Sequence, residues 1–119
     1  MLAVALATAV LAGACASGPP TPSGTPPAGA VVISANFSQF APTSVSAPAG
    51  EAFQIWFNNQ ENVPHNVHVL DAAGTSIKQG EIFNGPAART LDVPALSAAT
   101  YRLVCDVHPN MTAELVAGQ

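Results

Sequence analysis

From Val31 to Val116 no stretch keeps a helical period over three turns; short apolar alternations broken by Gly and Pro run instead. Val31, Ile33 and Ala35 alternate with Val32, Ser34 and Asn36. Phe53, Ile55 and Phe57 share one face, and Ala52, Gln54 and Trp56 the other. Further strands are expected around Ser44 to Ala47, Val63 to Leu70, Arg89 to Val93, Thr100 to Cys105 and Thr112 to Val116. Ile77 to Gly85 is ambiguous, because Gly80, Gly85 and Pro86 interrupt it. Short strands of this kind bury their apolar faces by packing sheet on sheet. The expected fold is all-β, a Greek-key β-sandwich of about seven or eight strands.

With 119 residues there is room for one such domain, expected at 31–119. Residues 1–15 read as an export signal: Met1 to Ala14 are small and apolar, too short a run to span a bilayer. Leu11-Ala12-Gly13-Ala14-Cys15 is similar to the cleavage box of bacterial lipoproteins, in which the Cys is acylated. An ordinary signal with an incidental Cys is the alternative. Residues 16–30, rich in Pro, Gly and Ser, read as an extended tether with nothing to bury. The chain is then expected to be exported to the extracytoplasmic face of a bacterial membrane, anchored by lipid on Cys15, or else soluble in the periplasm or secreted. All ten charged side chains lie from Glu51 onward and the net charge is -4, which argues against nucleic acid as a partner.

The chemistry concentrates in two places. Cys105, His108 and Met111 form C-x2-H-x2-M at the end of the Thr100 to Cys105 strand. Upstream, Val63-Pro64-His65-Asn66-Val67 offers a second imidazole. Strand parity puts His65 on the face of Val67 and Val69, and Cys105 on the face of Tyr101 and Leu103; both point inward. The same parity turns His68 outward with Asn66 and Leu70, as a surface histidine. One thiolate, two imidazoles and a weak thioether make the donor set of a blue-copper electron-transfer site. Other readings are weaker. A binuclear copper centre needs a second Cys on the loop, and a multicopper oxidase needs more histidines than three. Structural zinc prefers four strong ligands. A Cys/His hydrolase would lack an orienting acid and an evident cleft. A buried Cys with unrelated histidines remains the bland alternative. Cys15 and Cys105 are not expected to pair, since a disulfide would destroy the site.

With P-H-N upstream and C-x2-H before the Met, the segment from Val31 to about Val116 resembles the cupredoxins, in particular the plastocyanin and amicyanin group. The resemblance implies one copper ion held by His65, Cys105, His108 and Met111, and one-electron transfer between Cu(II) and Cu(I) without enzymatic turnover. It implies that the Asn66 amide bonds the Cys105 sulfur while the Asn66 side chain ties the two ligand segments together. His108 would reach solvent within a ring of Val63, Pro64, Pro109 and Val107, where a redox partner (an oxidase, a reductase or a cytochrome) docks. The chain departs from the pattern at Ala98-Ala99, at Ala113 and at Val107, where the family has Gly, Gly and Pro. Val107, unlike Pro, has an N–H that could also reach the sulfur. An extracytoplasmic copper carrier or buffer is the alternative function, although the chain lacks a Met- or His-rich tract.

Overall fold

A computed structural model describes residues 24–118, and every element in it is a β-strand. The strands are β1 (Val31–Asn36), β2 (Gln39–Ala41), β3 (Ser44–Ala47), β4 (Phe53–Asn59), β5 (Pro64–His65) and β6 (His68–Leu70). They continue as β7 (Ser76–Gln79), β8 (Phe83–Asn84), β9 (Ala87–Val93), β10 (Ala99–Cys105) and β11 (His108–Ala117). Cys15, the export signal and most of the tether lie outside the described residues. Among the described residues no helix is long and apolar enough to cross a membrane.

The strands form a four-stranded sheet in the order β2-β1-β4-β9 and a five-stranded sheet in the order β3-β11-β10-β6-β7. The chain crosses from the first sheet to the second after β2, returns for β4, crosses to the second for β6 and β7, returns for β9, and crosses once more to β10. That is the crossed connectivity of a sandwich, as expected. Eleven strands replace seven or eight because the ambiguous and looped stretches resolve into short pieces. β5 pairs only with β8, as Pro64 with Asn84 and His65 with Phe83.

The alternations in the sequence become the core. Ile33, Ile55, Leu103 and Leu115 are fully buried between the sheets, each worth roughly 1.5–3 kcal/mol of transfer free energy. Phe57 stacks edge-on against both Phe40 and Phe83, at 6.0 and 5.6 Å between ring centroids, within the range aromatic pairs favour. β4 departs from simple alternation: Trp56 and Asn58 are buried as well as Phe53, Ile55 and Phe57. It lies between β1, to which it is parallel, and β9, so both of its hydrogen-bonding edges are paired.

The expected single strand from Val63 to Leu70 is broken at Asn66-Val67, and the break matters for the site. His65 pairs into the small β5-β8 sheet while His68 to Leu70 pair with β10 and β7. Parity still holds for His65, Val67 and Val69, all buried. It fails for Asn66, expected to face outward and found fully buried, because its amide is turned onto the Cys105 loop.

Candidate metal centre

Three donors converge at one end of the sandwich. β10 delivers Cys105 as its last residue, β11 begins with His108, and β5 ends with His65. A register shift between Val104 and Cys105 lets Cys105 lie opposite His108 across the tight turn Asp106-Val107. Cys105 Sγ lies 3.8 Å from His65 Nδ1 and 3.7 Å from His108 Nδ1. The three ligand atoms all fall within 4.8 Å of one another. Met111, three residues along β11 from His108, is buried in the same core cluster as Cys105. His65 is fully buried and His108 half-buried, and their rings lie 4.6 Å apart between centroids at 47°.

These spacings are long for firm hydrogen bonds and suit an ion between the donors. With metal–nitrogen and metal–sulfur bonds of about 2.05 and 2.3 Å, an S···N separation of 3.7–3.8 Å subtends about 120°. That is a trigonal angle, so the residues present fit a mononuclear metal of the thiolate- and imidazole-binding kind.

Around the donors lies a set of hydrogen bonds that only partly matches expectation. Asn66 does tie the two segments together: its Oδ1 accepts the Asp106 N–H at 2.9 Å, and its Nδ2 donates to Asp106 Oδ2 at 2.6 Å and to Gly80 O at 3.0 Å. The expected amide bonds from Asn66 and Val107 to the sulfur do not form. Among the described residues the polar partners of Sγ are the two Nδ1 atoms. The Asn66 side chain instead engages the turn after Cys105, and Val107 is exposed.

Two carboxylates escaped the sequence reading. Glu61 Oε2 lies 2.8 Å from His65 Nε2 and accepts the Ser38 N–H at 2.8 Å. Asp106 Oδ1 lies 2.8 Å from His68 Nδ1, and Oδ2 also accepts from Gln79 Nε2 at 2.7 Å. His68 Nε2 continues the chain to Ser76 Oγ at 2.7 Å. His68 is therefore half-buried and braces the β6-β7 hairpin against the Cys105 loop, where the sequence suggested a plain surface residue. Desolvation pushes both carboxyls up, but hydrogen bonds outweigh it and hold both below their ordinary values. The bonds come from Ser38 and His65 for Glu61, and from Gln79, His68 and Asn66 for Asp106. The expectation that no acid orients a histidine here thus fails. The only sequence signal was position: Glu61 stands four residues before His65, and Asp106 follows Cys105 directly. A nucleophilic role for Cys105 is still disfavoured, because the thiol is buried.

The fold and the donor cluster together define a β-sandwich with a mononuclear soft-metal centre at one pole. A family model described as a cupredoxin-like domain matches residues 2–117, and the chain belongs to that family. Its cofactor is one copper ion. Among solved structures the chain is similar to dithionite-reduced auracyanin from the photosynthetic bacterium Roseiflexus castenholzii. They share 14% identity over 74% of this chain and 95% of that one, with a TM-score of 0.65. It is similar to amicyanin from Paracoccus versutus (Thiobacillus versutus), at 24% identity over 76% and 83% of the two chains and a TM-score of 0.60. It is also similar to the Cu(I) form of an amicyanin variant, at 22% identity, 75% and 82% coverage and a TM-score of 0.59. At such identities the likeness speaks for the fold. A search of curated protein sequences found no match.

Proposed function

We propose that this chain is a one-electron carrier whose copper is held by His65 Nδ1, Cys105 Sγ, His108 Nδ1 and the Met111 thioether. The observation that carries the reading is the convergence of one thiol and two Nδ1 atoms within 4.8 Å at the pole of a closed sandwich. Copper bound there supplies a one-electron couple between its two common states. The protein holds the donors on strand ends that the core already fixes, so a change of oxidation state asks for little rearrangement. His65, Cys105 and Met111 are closed off from water, and His108 alone of the four is half-exposed. Its edge is the natural contact for a redox partner protein, among the exposed Val63, Pro64, Val107 and Pro109. Burial of three donors also favours retention of the ion over hand-off, which sets the carrier or buffer reading second. Placement outside the cytoplasm, with Cys15 acylated, rests on the sequence of residues 1–15 and belongs to the same proposal. Detergent partitioning that is lost in Cys15→Ser would support it.

Copper(II) added to the domain should give an intense visible thiolate band that ascorbate bleaches reversibly. Cys105→Ser should lose the band while its circular dichroism remains that of a β-sandwich. A variant that kept the colour would remove Cys105 from the site.

A further inference from the structure

We propose that Glu61 is a positioning residue of the metal centre, holding the His65 ring with its proton on Nε2 and biasing the bound metal towards copper(II) by its charge. The proposal builds on the copper reading above, but its first half concerns the protein alone.

A carboxylate oxygen 2.8 Å from Nε2 is an acceptor, so the proton must sit on Nε2. In the neutral ring the Nδ1 lone pair is then bare and faces Cys105 Sγ. A carboxylate behind a ligating imidazole fixes its tautomer and raises its basicity. Glu61 can serve in this way because it is itself immobilised. Its N–H bonds Asn59 Oδ1 at 3.0 Å, and its carbonyl accepts the Gly85 N–H at 2.8 Å. Asn59 is locked in turn by donating to Val63 O and Phe83 O, each at 2.9 Å.

A second observation is independent of His65. The same Oε2 accepts the Ser38 N–H from the two-residue turn between β1 and β2. There Phe37 and Ser38 both have φ 52°, the left-handed conformation usually left to Asn-Gly. Phe37 is 85% exposed and gains little burial in compensation. A turn so poorly suited to its residues persists only where its surroundings over-determine it, and the Glu61 carboxylate is the partner it finds. One oxygen thus joins the β1-β2 turn to the innermost imidazole.

The charge argument has a definite sign. Copper(II) carries one more positive charge than copper(I), so a nearby anion stabilises it more. Glu61→Gln can present an amide oxygen to both N–H groups and remove the charge alone, whereas Glu61→Ala removes charge and acceptor together.

The test uses both variants. In the copper-free wild type, NMR should find a downfield, slowly exchanging His65 Nε2 proton, kept in Glu61→Gln and lost in Glu61→Ala. In the copper-loaded proteins, Glu61→Gln should weaken copper(II) binding relative to copper(I) by about tenfold, which is about 59 mV of higher midpoint potential for one electron. Glu61→Ala should rise at least as far. A rapidly exchanging Nε2 proton in the wild type would overturn the positioning role. An unchanged or lower potential in Glu61→Gln would overturn the charge role. Failure of the copper reading shows separately, as a wild type that gives no thiolate band. That would take the charge role with it, while the ring proton of the copper-free chain still decides the positioning role.

Discussion

Asp106 stands next to the thiol and carries more of the site's architecture than any residue outside the donors. Its two oxygens take bonds from Asn66 and His68, at the break before β6 and its first residue, and from Gln79 at the end of β7. Asp106→Ala should therefore cost about 1.5–3 kcal/mol in urea unfolding at pH 7, the range for hydrogen bonds to a charged group. The pH dependence has a definite direction. The folded pKa lies below the ordinary 3.8, so the stabilisation is fully present above that value and fades as pH falls through the folded pKa. Wild type and variant should converge in acid; a gap that persisted unchanged at pH 2 would mean that packing, not charge, is lost. Met111 offers a contrasting case. Met111→Leu nearly conserves volume, so the fold should lose less than about 1.5 kcal/mol. Removing a weak axial donor should raise the midpoint potential, since the donor stabilises the more highly charged ion. An unchanged potential in voltammetry would place the thioether outside the coordination sphere.

The element that sets His65 is the loop from Asn59 to Pro64, clamped against Gly85. A methyl group added at Gly85 would lie 2.0 Å from Asn59 O and 2.7 Å from Glu61 O, and backbone cannot yield as a side-chain tip can. Gly85→Ala should destabilise the fold by more than the roughly 1 kcal/mol typical of single substitutions. It should also lower copper affinity, because the shift is passed to Glu61 and His65. A variant with native affinity and stability would show that β8 can move away freely. This clamp could not be read from the sequence, where Gly85 and Pro86 only marked a break. What could be read was periodic. Ile33, Ile55 and Leu103 announced packed faces by alternation, and C-x2-H-x2-M announced donors that one turn can gather. The carboxylate partners were hidden because their bonds join Glu61 to Ser38 and Asp106 to Gln79, pairings that only the fold creates. Asn66 misled for the same reason, since the strand breaks there and its side chain turns inward to Asp106 and Gly80.

At the scale of the whole molecule, the question is whether copper holds the sandwich together or merely occupies it. Three of the four donors sit on strands that the two-sheet core already orders: Cys105 closes β10, while His108 and Met111 lie on β11. His65 is held from behind by Glu61. The fold should thus survive without metal, and copper should add stability only through mass action on the native state. At free copper one hundred times its dissociation constant that contribution is about 2.7 kcal/mol. A domain of this size gains roughly 4–8 °C per kcal/mol, so chelation should lower the melting temperature by about 10–20 °C. The far-ultraviolet circular dichroism at 25 °C should stay unchanged. Cys105→Ser should show a much smaller copper-dependent shift, having lost the thiolate. Loss of the β signal on chelation at 25 °C would reverse the order of causes, making the metal a structural element and the core insufficient alone.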